Sequence, residues 1–493
     1  MYDIGIDLGT SAVKLLLVSD QGSVQKTVSR SYPLELPQPG WSQQNPEDWW
    51  NAILDGIPEL IAGLAPGEIG GIGVAGQMHG LVALNAAGEV LRPAILWNDG
   101  RTAAETAYLN DRVGREFLLR HTGNIAFAGF TAPKLLWMEK HEPELFGRIA
   151  KVLLPKDYVN FRLTGRYTTD YSDAAGTLLL DVQNKRWSRE MLELCGLTED
   201  QLAELHESYE IIGTLLPGVA RQLGLPASVT VVAGAGDNAA AAVGTGCLHE
   251  GSCNLSLGTS GTVFLPSEAF KMDQVHATHA FNHAAGNFHL MGCMLSAASC
   301  LKWWVEDVCK SADYDGLQRE IQPGKLGKNY VYFLPYLMGE RAPHNDPNAT
   351  DTFVGMTMDT TRADMTQAVL EGVAFAFRDM VEAVRALGIT VEHATLCGGG
   401  ARSELWKTIL ANVVQVRLEL LEEEQGPGLG GAILSACGRG AYQTLDEAAA
   451  KCVRKNGDVR PEPELMALYE ARYQKFRKLY PALRQVFGSL AED

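Results

Sequence analysis

The sequence predicts an α/β protein made of two α/β halves related by internal duplication, with a cleft between them. Three observations carry this. A strand–turn–strand motif occurs twice, as Ile4-Gly5-Ile6-Asp7-Leu8-Gly9-Thr10-Ser11-Ala12-Val13-Lys14 and as Asn254-Leu255-Ser256-Leu257-Gly258-Thr259-Ser260-Gly261-Thr262. Thr10 and Thr259 stand 249 positions apart in a chain of 493 residues, so the repeat nearly halves it. That length exceeds what one core usually serves. Apolar strand-like runs alternate with helical patterns in both halves, and glycines gather where such runs end. A boundary near 244–251 gives domains 1–246 and 247–493.

In chain order, strands are expected at 3–8, 12–18 and 23–34. A helix follows at Pro46–Leu60, with Asn45 as its cap and proline in its first turn. Gly71–Gly76 reads as a strand that runs into the loop Gln77-Met78-His79-Gly80. Leu81–Asn85 and Val90–Trp97 read as two more strands. Helices are expected at Ala103–Arg112, Gly114–His121 and Pro133–His141, then a strand at 152–154 and a helix from about Asp157. Val229–Val232 is a β-branched strand ending in Gly234-Ala235-Gly236-Asp237-Asn238, before an alanine-rich helix at 239–243. The second half repeats the plan. Strands at 252–257, 261–265 and 287–292 precede helices at 296–309 and Glu371–Leu387. A strand at 395–397 enters Gly398-Gly399-Gly400-Ala401-Arg402-Ser403, followed by a helix at Glu404–Val414. Gly426, Gly428, Gly430 and Gly431 read as marking tight turns and close backbone approach. The last stretch, Pro463–Phe487, has apolar residues at helical spacing and reads as one amphipathic helix packed on the second domain.

Composition narrows the function. A net charge of −17 argues against nucleic acid or an anionic membrane as partner. No apolar run reaches the roughly 20 residues that span a bilayer. No basic region followed by an apolar stretch opens the chain, and nine cysteines at irregular spacing suit reduced thiols and a cytoplasmic location. Oligomeric state stays open between monomer and homodimer.

Both Leu-Gly-Thr-Ser turns offer backbone N–H groups and hydroxyls without bulk, which suits polyphosphate. Two of them predict a nucleotide clamp. Asp7 in the first copy is Ser256 in the second, so one side alone carries a carboxylate for a metal. Asp237 has two local readings of equal weight, a helix N-cap or a group projecting into the cleft. His276, His279, His283 and His289 lack cysteine or carboxylate at ligand spacing, and Gly286 interrupts them. They read as strand and hairpin residues, not as a metal site.

The paired hairpins in two α/β halves resemble the actin-like ATPase superfamily, of ribonuclease H-like fold. Within it, three stretches resemble the carbohydrate kinases named after the motif Phe-Gly-Gly-Tyr. They are Phe130–Trp137, Gly355–Gly372 and Gly398–Ser403. Five more, Ala75–Gly80, Ile95–Arg101, Leu154–Tyr158, Ser172–Thr177 and Gly339–His344, resemble the members of that family that phosphorylate D-xylulose. The resemblance spans Met1 to about Tyr480.

It implies ATP-dependent phosphorylation of D-xylulose, with ATP as co-substrate and Mg²⁺ as cofactor. Ribulose, gluconate or glycerol are the alternative acceptors. A non-metabolic actin-like ATPase is the other class, and no peptide-binding extension supports it. Asp237 becomes the general base, although a helix N-terminus lowers a carboxyl pKa and weakens it as one. Asp7 becomes the metal ligand, through water. Thr10, Ser11 and Lys14 face the transferred phosphate, Gly258, Thr259 and Ser260 the inner phosphates, and Gly399, Gly400 and Ser403 the adenosine. Met78 and His79 take the sugar, with Asn238 as a second hydroxyl ligand and Asn98 and Asp99 as weaker candidates.

Overall fold

A computed structural model describes residues 1–273, 275, 278–422 and 425–491. The chain divides into two compact units that interleave along it. The first holds Met1–Leu248, Ala280–His289 and Gln425–Arg454, and the second His249–His279, Leu290–Glu424 and Lys455–Asp493.

The first unit is built on strands β1 (Tyr2–Leu8), β2 (Ala12–Ser19), β3 (Val24–Ser31), β4 (Ile69–Gly76), β5 (Ile211–Thr214), β6 (Thr230–Val232) and the short β7 (Ala235–Gly236). Their order is β5-β6-β4-β1-β2-β3, with β7 also on β4. β1 and β2 form an antiparallel hairpin, whereas β1–β4, β4–β6 and β4–β7 pair in parallel. The second unit has β8 (Gly251–Leu257), β9 (Gly261–Ser267), β10 (Val391–Cys397), β11 (Arg417–Leu421) and β12 (Lys455–Val459). Here β8–β9 is the hairpin, β8–β10 and β10–β11 are parallel, and β11–β12 is antiparallel. The first sheet has the same succession, closing on the antiparallel pair β5–β6. The repeat seen in two short motifs therefore extends to the strand pairing of both sheets.

Side-chain alternation explains the first sheet's two faces. Ile4, Ile6 and Leu8 point into a core with Val13, Leu15 and Trp49, Ile53 and Ile57 of the helix Pro46–Leu60. That helix starts where expected, and Asn45 accepts from Glu47 N at 3.2 Å. Gly5, Asp7 and Gly73 belong to the opposite face. There Gly426–Gly438 forms a helix in place of the expected turns, while the expected close backbone approach is present. A Cβ on Gly5 would lie 1.9 Å from Gly428 O, one on Gly73 2.0 Å from Gly431 O, and one on Gly430 1.9 Å from Ala240 O. These glycines let backbone pack on backbone. Arg439, just beyond the helix, closes the contact with an ion pair to Asp3 at 2.7 Å.

Gly73→Ala is expected to cost about 3 kcal/mol or more, because backbone, not a mobile side chain, blocks the added carbon. A Cβ on Gly399 meets nothing within 4 Å, so Gly399→Ala should stay within about 0.5 kcal/mol of the parent. Urea unfolding of both variants checks the contrast, and equal midpoints would contradict this packing.

Other expectations shift in detail. Leu81–Asn85 and Val90–Trp97 shrink to Val82–Leu84 and Ala94–Ile95. The helix expected from Glu371 starts at Arg362, because Thr361 and Asp364 form a capping box. The helices at Ala103–Arg112 and 296–309 each pass into a π-helical turn. The terminal segment is two helices, Pro463–Phe476 and Leu479–Leu490.

Candidate active site

Parallel register fixes where the first group of residues stands. Leu8 and Gly236 both pair with Gly76, so β1, β4 and β7 end level. Asp7 lies at the end of β1, Gln77-Met78-His79 follow β4, and Asp237 follows β7. Carboxyl ends of neighbouring parallel strands are the usual ligand edge of such sheets.

Asp237 is the first residue of the helix Asp237–Gly244; Gly236 occupies the cap position and no side chain caps it. Asn238 holds the carboxylate instead, donating from N at 2.7 Å and from Nδ2 at 2.9 Å to Asp237 Oδ1. Burial, with Asp7 adding repulsion, pushes the Asp237 carboxyl up to about 7. The expected lowering by the helix is thus reversed: a helix terminus contributes at most about 2 kcal/mol, and desolvation outweighs it. A carboxyl titrating near neutrality is a competent base at physiological pH.

The turn before Asp237 is clamped from both sides. Gly234 has φ of +73°, a conformation that favours glycine, whereas Ala235 does not enter that region. At the entry, Ala233 O accepts from Lys156 Nζ at 3.2 Å and Asn160 Nδ2 at 2.8 Å. At the exit, Gly236 N donates to Ser172 Oγ at 3.2 Å, and Ser172 in turn donates to Asp170. Lys156 is fully buried, 2.7 Å from Asp157, 3.2 Å from Asp170 and 3.8 Å from Asp173.

Asp7 faces Lys14 across the hairpin. Burial raises its carboxyl to about 6, against the pull of Lys14. Lys14 Nζ also donates to Gln425 Oε1 at 2.9 Å. The turn after Asp7 is held by side chains from distant parts of the chain. Thr10 Oγ1 accepts from Trp97 Nε1 at 2.9 Å and donates to Gln77 Oε1 at 3.3 Å. Gln44 Nε2 donates to Thr10 O at 2.6 Å and is fixed through Oε1 by Trp49. Tyr32 reaches Gly9 O. Ser11 is exposed. Gln77 and Trp97 fall in stretches that carry the resemblance, whereas Gln44 and Tyr32 do not; only the fold shows that all four meet at this turn.

Met78 packs on Gly236, where a Cβ would come within 2.9 Å of its Cγ. His79 Nδ1 donates to Gly176 O at 2.7 Å, and its ring lies against Phe130. Asp99 is buried and doubly bound by Arg101, and it accepts from Ser42 N at 2.6 Å. Its carboxylate is committed to that contact. His283 Nε2 donates to Cys247 O, while Nδ1 accepts from Ala285 N. His276 lies outside the described residues. Among these residues no group of three or more metal-binding side chains occurs.

In the second unit, the turn Gly258-Thr259-Ser260 is fixed through its carbonyls. Ala298 N donates to Gly258 O at 2.8 Å and Ala297 N to Thr259 O at 2.9 Å. Gly398 and Gly400 press on Leu257, whereas Gly399 faces open space. Ser403 caps the helix Glu404–Val414, accepting from Trp406 N at 3.0 Å and donating to Gln318.

Comparison with known proteins gives matches over nearly the whole chain. Residues 2–244 match the N-terminal domain of the FGGY family of carbohydrate kinases, and residues 253–438 match its C-terminal domain. The chain is 44% identical to a xylulose kinase of Escherichia coli over 98% of this chain and 99% of that protein. It is similar to the crystal structure of a xylulose kinase from Brucella ovis, with 41% identity, a TM-score of 0.93 and 99% and 100% of the two chains covered. A gluconate kinase from Lactobacillus acidophilus is similar at 26% identity, with a TM-score of 0.94 over 99% of both chains.

Proposed function

Because the chain belongs to the FGGY family of carbohydrate kinases, we propose that it transfers the γ-phosphoryl group of ATP to D-xylulose, giving D-xylulose 5-phosphate. The observation that carries the reading is the level ending of β1, β4 and β7, which sets Asp7, the Gln77–Gly80 loop and Asp237 on one edge. Asp237 accepts the proton of the attacking hydroxyl, and Asn238 keeps its carboxylate oriented. Met78 and His79 bound the sugar. Thr10, Ser11 and Lys14 receive the transferred phosphate, Gly258 and Thr259 the inner phosphates, and Gly399, Gly400 and Ser403 the adenosine. Phosphoryl transfer asks mainly for such positioning, with a late and modest proton acceptor.

Asp7 is the residue to hold Mg²⁺ through water. Its half-buried carboxyl, raised to about 6 with Lys14 as the cation that lowers it, gains from a nearby divalent charge. One carboxylate with retained waters suits this ion. When bound, Mg²⁺ neutralises charge on the phosphates. The reading places the enzyme in the cytoplasm; no helix among the described residues is long and apolar enough to cross a membrane.

Fold likeness does not separate acceptors: a xylulose kinase and a gluconate kinase from Lactobacillus acidophilus score alike, at 26% identity and TM-score 0.94. The 44% identity to the Escherichia coli xylulose kinase and the Gln77-Met78-His79-Gly80 loop favour D-xylulose. A coupled ADP-release assay over pentuloses, hexuloses, gluconate and glycerol tests the choice. D-xylulose should show the highest kcat/KM. Turnover of another acceptor at least about tenfold more efficient, or about 1.4 kcal/mol of transition-state binding, would sink the acceptor while leaving the kinase class.

A further inference from the structure

The loop that presents the sugar residues carries backbone strain. His79 has φ of +69°, and Gly80 N donates to Met78 O at 2.9 Å. This is the positive-φ form of the γ-turn, rare for a residue with a side chain. Such a conformation persists only where the surroundings over-determine it. His79 O accepts from Lys134 Nζ at 2.8 Å and from Thr131 Oγ1 at 3.0 Å. Lys134 Nζ donates also to Gly129 O at 2.6 Å. On the ring side, Nδ1 is bonded to Gly176 O, and a Cβ on Gly176 would come within 2.4 Å of it.

Lys134 has no exposed surface. Both of these hydrogen bonds end on backbone carbonyls, and burial lowers its pKa well below the usual lysine value. A buried amine is a costly way to fill space that methionine or leucine fills more cheaply. Its use at the carbonyl of a strained residue calls for a role in holding that residue.

We infer that Lys134 is a positioning residue for the acceptor pocket: with Thr131 it clamps the carbonyl of His79 and so fixes the left-handed turn that aims Met78 and His79 at the sugar. This deepens the sugar-kinase reading and rests on it. The clamp bears directly on His79 and on Gly129 O, not on the phosphate turn, so the acceptor KM should move more than the ATP KM.

The test compares Lys134→Met, which keeps length and apolar packing, with Lys134→Gln, which keeps a donor, and Thr131→Val, which removes the second bond. Wild-type turnover of D-xylulose is measured first; its absence counts against the acceptor assignment, and the variants are then assayed with the best acceptor found. Two readouts are taken: KM for acceptor and for ATP, and the ¹⁵N resonance of the His79 ring, which needs no substrate. Lys134→Met should raise the acceptor KM about tenfold and leave the ATP KM within about twofold. Lys134→Gln should recover part of the loss, Thr131→Val should show a smaller rise, and the His79 resonance should move in Lys134→Met. Wild-type acceptor KM with an unmoved His79 resonance overturns the inference, as does an equal rise in both KM values. Should Lys134→Met fail to fold, Lys134→Gln and Thr131→Val decide: unchanged acceptor KM in both overturns it.

Discussion

Asp237→Asn lowers kcat by a factor on the order of 10²–10⁴, the range for loss of a positioned acid–base group. ATP affinity stays near that of the parent, because the phosphate turns and the adenosine loop are untouched. Sugar affinity falls only modestly, since asparagine still hydrogen-bonds a hydroxyl. The effect on stability separates a base from a cap. Asp237 is not the cap of its helix, so no capping bond is lost. Its carboxyl titrates near 7 in the fold and near 4 in an unfolded chain. Folding therefore favours the protonated form, and its contribution to stability falls as pH rises from about 4 to 7. Asparagine carries no such penalty. At pH 8 the variant should melt at or above the parent, and near pH 4 the two should converge. A lower Tm at pH 8 with near-normal kcat would restore the cap as the whole explanation.

Asp7→Asn acts on the same edge through a different group. Size and turn geometry are kept while the charge is lost. A carboxylate that holds Mg²⁺ through water acts as an outer ligand, and losing one costs about 10–100-fold in metal affinity. Half-saturation by Mg²⁺ should rise by that factor, and kcat at fixed Mg²⁺ should fall with it. Sugar affinity should change little, since Met78 and His79 lie on another loop. Repulsion from Asp7 is one of the causes that raise Asp237, so the acid limb of kcat/KM should move to lower pH. Normal kcat at the normal Mg²⁺ optimum would remove Asp7 from the site.

The hairpins were legible because strand alternation and a Gly-Thr-Ser turn are local properties. Asp237 was legible as a position, at the junction of a β-branched strand and an alanine-rich helix. Its ionisation was not. Sequence supplies the helix terminus, which lowers the pKa, but not the burial and the Asp7 carboxylate that raise it. The helix Gly426–Gly438 was hidden for a related reason. The glycines suggest turns and close backbone approach, yet which backbones meet shows only once Gly5, Gly73 and Ala240 stand against Gly428, Gly431 and Gly430. Residues that act by supporting others are harder to read: Trp97 and Lys134 fall inside stretches that carry the resemblance, but their supporting roles do not show there, and Gln44 lies in none of them. Their partners lie far away in the chain, as in the bond from Trp97 to Thr10.

The central claim is transfer of phosphate to an acceptor rather than its release to water. Phosphorus NMR of a mixture of enzyme, ATP, Mg²⁺ and D-xylulose tests it directly. A new phosphomonoester, coupled to the protons of a primary carbon and formed in step with ADP, is the predicted result. Inorganic phosphate appearing with ADP, at a rate indifferent to the sugar, would contradict the account.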